Sequence, residues 1–464
     1  MLNQFLEQRI LSELPYEANT EQLELVHKWA DFLTTHRQNR CFVLRGYAGT
    51  GKTSMVAALV RAMDKLKQRT CLLAPTGRAA KVLSSYSGFP AYTIHKCIYR
   101  QRSMVQQTFD LSFNAHAGTL FIVDEASMIS NDYTIGSQFG TGCLLDDLIQ
   151  YVYAAPDCRL LLIGDTAQLP PVGQSNSPAL DDHTLSCYGL ELTTHELTIV
   201  ARQQLESGIL YNATILRNKL IEGKANGKPY ITTDDFDDIR KISGSEMLEL
   251  IEQSYREAGL DNTIIVNRTN KRMNMYNNGI RNQILWKEDL LSGGDRVMIT
   301  KNNYYWSEKY EGLSFLANGD MLEVVRMRNE RQLYGYKFAD ASLSSLDYDW
   351  EIDVIVWLDT LLSESPDESY KMQRKLFELI AEDYPEIHSK KELVKTIMSN
   401  PYYNALQIKH AYAVTCHKAQ GGQWKNVFID EGNLSEDMYD EDYYRWLYTA
   451  ITRAKEKIYL INFE

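Results

Sequence analysis

The sequence has no apolar run of about 18 residues, so a helical membrane span is not expected. Its first residues, Met1-Leu2-Asn3-Gln4-Phe5-Leu6-Glu7, lack the basic start and long apolar core of a secretory signal. Its seven cysteines (41, 71, 97, 143, 158, 187 and 416) include no C-x-x-C pair. An odd, unpatterned count, several members of it inside apolar runs, reads as reduced and buried thiols of a cytoplasmic protein. A basic excess is also missing. The net charge is −12, which excludes a broadly basic nucleic-acid coat, so any such partner must lie in a local groove. What remains is ordinary globular composition, 44% hydrophobic and 24% charged, over 464 residues, enough for two to four domains with substantial cores.

The most informative stretch is Gly46-Tyr47-Ala48-Gly49-Thr50-Gly51-Lys52-Thr53. It follows the apolar run Cys41–Leu44 and precedes a helical pattern from Ser54 to Lys67, the strand, loop and helix order of a phosphate-binding loop. Gly46, Gly49 and Gly51 let the backbone curl so that its N–H groups converge, Ala48 and Thr50 included, at the positive end of the helix dipole. Lys52 then reaches the β- and γ-phosphates, and the Thr53 hydroxyl is placed to hold Mg²⁺. The expected ligand is therefore a nucleoside triphosphate with Mg²⁺, and in the reading reached below it is ATP.

Upstream, Leu11, Leu14, Leu23, Val26, Trp29 and Phe32 recur at helical spacing, with Thr20 as the expected cap. Gln22 has an amide suited to adenine, or is an exposed helix glutamine. Downstream, Thr70–Ala74 reads as a buried strand ending in Pro75-Thr76-Gly77-Arg78, so Pro75 and Thr76 fall at the carboxyl edge of a parallel sheet. Thr93-Ile94-His95-Lys96 leads into the segment 99–117. Its period-two stretch Thr108–Phe113 predicts a small inserted β-hairpin. The apolar strand Leu120–Val123 ends in Asp124-Glu125. Asp124 suits Mg²⁺, and Glu125 suits activation of the attacking water. A third apolar strand, Leu160–Ile163, leads to Gly164-Asp165-Thr166-Ala167-Gln168, with Gln168 able to touch the γ-phosphate and Pro170-Pro171 stiffening the exit.

In this order, Gly-x-x-x-x-Gly-Lys-Thr, Ala-Pro-Thr-Gly-Arg-Ala-Ala-Lys, Thr-Ile-His-Lys, Asp-Glu-Ala-Ser and Gly-Asp-x-x-Gln-Leu-Pro-Pro-Val-Gly resemble RecD-like helicases, the 5′-to-3′ branch of superfamily 1. Later stretches fit the same family. Val200–Gln203 resembles the motif that supplies one arginine finger, Arg202. Ile264–Asn270 resembles the first strand and turn of a second motor domain. Val414–Gly422 resembles the motif touching both DNA and nucleotide. Trp446–Ala454 resembles the final motif, with Arg453 as second finger. The resemblance implies nucleotide contacts at Gly421 and Gln423. It also implies a strand-binding face of Pro75, Thr76, Thr93, His95, Asn267, Asn270, Thr415, His417 and Lys418. Two positions depart from the family: Tyr47, where Pro or a small residue is common, and Gln423, where many relatives carry Glu.

The expected fold is α/β: two RecA-like P-loop motor domains with parallel sheets, a β-hairpin inserted in the first and an SH3-like barrel plus helical arm inserted in the second. The expected division is 1–98 and 118–195 for the first domain around the hairpin 99–117. The second domain takes 196–294 and 401–464 around the insertion 295–400. Its strands are read at Thr263–Val266, Ala411–Thr415, Val427–Asp430 and Lys457–Ile461. The helical arm after Ser363 presents a charged face that is either solvated or holds a partner protein or DNA. No nuclease-like cluster of Asp, Glu and Lys is recognisable.

The expected activity is an ATP-dependent DNA helicase moving 5′ to 3′ on single-stranded DNA, working as a monomeric motor on tailed duplex, with no membrane partner. The competing readings are a nucleotide-switched clamp for nucleic acid or a partner, or a remodelling ATPase without processive unwinding, and a small-molecule kinase, which explains the P-loop but not the duplicated sheet. Met104 and Val105 at the hairpin tip would cap the last base pair and part the strands; otherwise the hairpin is an inert surface feature.

Overall fold

The computed structural model describes residues 2–35, 37–103, 108–133, 139–200, 207–307, 310, 313 and 315–463. Two all-parallel sheets carry the architecture. The first has six strands in the order Ala91–Thr93, Thr70–Ala74, Leu120–Val123, Arg159–Gly164, Arg40–Gly46 and Glu191–Leu197. The second has five, in the order Ala413–Thr415, Thr263–Asn267, Trp424–Asp430, Ala454–Ile461 and Ile239–Ile242. Central strands such as Leu120–Val123 and Thr263–Asn267 are buried at every residue, as expected of sheets covered on both faces.

A hairpin of Tyr99–Ser103 and Thr108–Leu111 leaves the first domain, pairing Tyr99 with Leu111. Its tip, with Met104 and Val105, lies outside the described residues. A closed barrel is inserted in the second domain, built from Arg296–Ile299, Met321–Leu333, Tyr336–Ser345, Glu351–Trp357 and Leu406–His410. The closing strand falls just past the expected boundary at 400. Between the fourth and fifth strands stand the two arm helices, Pro366–Ala381 and Lys390–Met398.

The turn from barrel to second sheet is fixed by one side chain. Asn277 Nδ2 donates to the His410 carbonyl at 2.9 Å and to that of Ala413 at 3.1 Å. Its Oδ1 accepts from the N–H groups of Tyr412 and Ala413 at 3.0 and 2.8 Å. All four hydrogen-bonding positions of a buried amide are thus used.

Local details correct three expectations. Asn19, not Thr20, caps the helix Thr20–Thr34, because its side chain accepts from Gln22 N while Gln22 reaches back to Asn19 N, a capping box. The second sheet contains a strand at Ile239–Ile242 that short flanking patterns do not announce. Of the seven cysteines, Cys187 is exposed, and Cys71 and Cys97 are only partly buried. Among the described residues no helix is long and apolar enough to cross a membrane.

Candidate nucleotide and strand site

The P-loop joins the strand Arg40–Gly46 to the helix Lys52–Lys65. Gly51 sits at φ +86°, and a Cβ there would stand 2.7 Å from Gln22 Nε2, so only glycine permits this turn. A Cβ on Gly46 would meet the Lys52 side chain at 2.9 Å. Lys52 Nζ folds back onto the loop, donating to the carbonyls of Gly46 and, at 2.9 Å, Tyr47. A phosphate oxygen is the stronger, charge-assisted acceptor for that ammonium.

Around the loop lies a cleft of about 360 Å³, within the range of small-molecule sites. It is lined from the first domain by Ala48, Gly49, Gly51, Lys52, Thr53, Asp124, Glu125 and Gln168, and from the second by Gln423 and Arg453. Ten residues singled out from sequence therefore meet in one space. Gln168 is buried, and its Oε1 has no hydrogen-bond partner, so an acceptor is held ready for a water or ligand donor. Asp124 and Thr53 supply hard oxygen donors on one wall. Mg²⁺ at nucleotide sites takes one or two protein oxygens and completes its shell with phosphate and water, so the pair fits.

Glu125 occupies a left-handed conformation at φ 52°, a cost that non-glycine residues bear mostly at functional sites. Burial raises its pKa; the guanidinium of Arg453 opposes this and the Asp124 carboxylate adds to it. Arg453 Nη1 stands 3.9 Å from Glu125 Oε1 and is itself 3% exposed. Its remaining donors go to the carbonyls of Thr449 and Gly422 and to the Thr452 hydroxyl. Arg202 lies outside the described residues.

Of the expected nucleotide set, Gln22, Gly46, Thr50 and Gly421 do not line the cleft. Gln22 spends its Nε2 on the Thr50 carbonyl at 3.2 Å and its Oε1 on Asn19, so it braces the loop instead of presenting a free amide. Gly421 does not line the cleft. It packs on the first domain, where a Cβ would stand 2.7 Å from that of Ala79 and 3.1 Å from Thr76 Oγ1. Sequence reasoning also missed Tyr86, which donates to Asp124 Oδ2, and Tyr448. Tyr448 donates to Asp165 Oδ2 at 2.6 Å and accepts from Ala48 N at 3.0 Å. No local signal marks these tyrosines, because their partners lie far away in the chain.

The proposed strand face follows the carboxyl edges of both sheets. Ala74 is in register with Thr93, and Asn267 with Thr415. Thr76 and Thr93 cap helices, accepting from Ala79 N and Lys96 N at 3.2 Å each. Pro75 is half-buried, Asn270 opens a helix capped by Thr269, and His417 is exposed. Lys418 Nζ donates to Asn318 Oδ1 of the barrel insertion at 2.6 Å.

Two members of this set do not present themselves as expected. Asn267 is fully buried at the end of a central strand, flanked by strands on both sides, and neither of its amide atoms has a partner. His95 sits among aromatic rings, 4.9 Å from Phe139, 5.6 Å from Tyr99 and 6.4 Å from Phe315. Burial pushes its pKa down to about 4, leaving a neutral ring.

Comparison with known proteins agrees with this layout. Residues 17–219 match an AAA domain, and residues 410–461 match the UvrD-like helicase C-terminal domain. The ATP-dependent RecD2 DNA helicase of Deinococcus radiodurans is 24% identical over 91% of this chain, which spans 47% of that protein. The ATP-dependent DNA helicase dda of Enterobacteria phage T4 is 25% identical over 90% of this chain and 93% of its own length. A Pif1 helicase from Bacteroides, solved with ADP-AlF3 and single-stranded DNA, is similar over 96% of this chain and 92% of that one, with 16% identity and a TM-score of 0.48. The chain thus joins an AAA domain to a UvrD-like helicase C-terminal domain and is similar to RecD-like helicases.

Proposed function

We propose that the chain is an ATP-driven motor that moves 5′ to 3′ on single-stranded DNA and unwinds tailed duplexes. The observation that carries this reading is the approach of Arg453, from the second domain, to Glu125 at the P-loop cleft of the first. A site completed only when two domains meet makes hydrolysis depend on their relative position, which is what a motor requires.

In this reading Lys52 holds the β- and γ-phosphates, and Thr53 and Asp124 would hold Mg²⁺, which would offset the negative charge of the phosphates. Glu125 accepts the proton of the attacking water. Gln168 orients that water or the γ-phosphate through its unpartnered Oε1. Arg453, joined by Arg202, stabilises charge developing on the transferred phosphoryl group. Helix starts along the two sheet edges grip the strand backbone without reading its sequence.

In this reading the hairpin is the feature that a parted strand runs into. Replacing residues 102–107 by a short Gly/Ser turn should leave strand-stimulated ATPase intact and depress unwinding. Displacement of a labelled strand from duplexes carrying a 5′ or a 3′ tail tests the whole reading. Equal displacement from both, or none from either, would overturn it.

A further inference from the structure

Tyr47, the residue that departs from the family pattern, lines the nucleotide cleft, and its side chain also has partners beyond it. Its hydroxyl donates to Glu196 Oε1 at 2.6 Å, on the last strand of the first sheet. Its ring is covered by the Arg217 guanidinium, 4.6 Å from the ring centre. Arg217 belongs to the helix Gly208–Ile221, which packs on the helix Glu441–Ile451 that precedes Arg453. The Tyr47 ring joins the same apolar cluster as Ile209, Ala213 and Leu216 of the Arg217 helix. Arg217 Nη1 also donates to the Thr198 carbonyl at 3.4 Å, just beyond that last strand.

The backbone of Tyr47 meanwhile holds the groups that must rearrange when nucleotide binds. Its carbonyl accepts from Lys52 Nζ at 2.9 Å and from Thr50 Oγ1 at 2.8 Å. One residue therefore touches the phosphate-binding lysine through its main chain and the second domain through its side chain. A cation over an aromatic face is directional and strengthens when desolvated, and Arg217 is only 8% exposed.

We infer that Tyr47 and Arg217 form a strut that couples occupancy of the P-loop to the position of the second domain, with Arg217 as a positioning residue. This rests on the motor reading, and it adds a route of coupling separate from Arg453. When Lys52 leaves the Tyr47 carbonyl for a phosphate, the loop shifts under the Arg217 guanidinium. The helix Gly208–Ile221 then follows the loop. By reciprocity, a strand held between the domains changes ATP affinity through the same contact.

The test measures affinity for a fluorescent oligo-dT with and without a non-hydrolysable ATP analogue, together with the KM for ATP and the kcat with and without oligo-dT. In Arg217→Gln the ratio of the two strand affinities should shrink toward one by about fivefold or more, while basal ATPase and nucleotide-free strand affinity are retained. Arg217→Lys keeps charge but not the planar stack, so it should fall between. Tyr47→Phe should retain coupling because the ring remains, and Tyr47→Ser should lose it to the same extent as the double variant with Arg217→Gln. A parental ratio preserved in Arg217→Gln and in Tyr47→Ser would overturn the strut. If Arg217→Gln melts early, Tyr47→Ser against Tyr47→Phe decides alone. A parent with neither strand-stimulated ATPase nor nucleotide-dependent strand affinity would instead overturn the motor reading.

Discussion

The nucleotide cleft and the proposed strand face differ in how their polar side chains are used. In the cleft, hydrogen-bonding capacity is left open or only loosely spent. Gln168 Oε1 has no partner, Lys52 rests on main-chain carbonyls, and Arg453 stands 3.9 Å from Glu125, beyond hydrogen-bonding distance. On the proposed strand face most of these side chains are already employed, Asn267 excepted, whose buried amide has no partner. Thr76 and Thr93 cap helices, His95 is packed among rings and Lys418 is tied to Asn318. The difference teaches that chemistry is done by spare side-chain groups, whereas a sequence-neutral grip can be left to the N–H groups and dipoles of helix starts. Their side chains set geometry.

The comparison is broken most severely at Arg453. Arg453→Lys keeps charge but loses the fork, and ATP turnover should fall by about 10³-fold while single-strand affinity, read by anisotropy, persists. Loss of strand binding with intact turnover would mean that the two sites are not separable in this way. Glu125→Gln should lower turnover by about 10²–10⁴-fold and retain ATP binding, measured with a fluorescent analogue. Because burial raises the Glu125 pKa and a base must be ionised, parental turnover should rise with pH through that raised value. That acid limb should vanish from the residual rate of Glu125→Gln.

On the strand face the expected effects are on stability. His95 is neutral when folded, with a pKa near 4 against an ordinary 6.5. Its contribution is therefore complete above pH 6.5 and lost as pH falls from there through 4. His95→Phe should remove acid destabilisation on the order of 1–3 kcal/mol, measured by denaturant titration at pH 4.5 and 7. The salt dependence of strand binding should stay unchanged, since no phosphate contact is lost. Thr76→Val should cost about 1 kcal/mol of stability through loss of the cap. Strand affinity should change by less than tenfold, the equivalent of about 1.4 kcal/mol.

Most of the cleft was legible because phosphate chemistry confines its residues to short stretches at strand ends. Lys52, Thr53, Asp124, Glu125 and Gln168 lie within a few residues of the strands that aim them. Barrel strands such as Arg296–Ile299 were likewise visible as short apolar runs between turns. What escaped depends on pairing across sequence. Leu406–His410 falls in the stretch 401–464 assigned to the second domain until the barrel is seen to close through it. Tyr448 looks like a core aromatic until Asp165 and Ala48 are found beside its hydroxyl. Asn267 was expected on the strand-binding face as an amide suited to phosphate contact, yet two neighbouring strands bury it.

The corner held by Asn277 has a mechanical consequence. The barrel's closing strand ends at His410, and the edge strand of the second sheet begins at Ala413, with Asn277 bonded on both sides of the bend. A joint welded in this manner transmits torque. The barrel is then a tooth cut into the second domain instead of a pendant hung from it. The bend thereby ties the orientation of the barrel to that of the edge strand Ala413–Thr415.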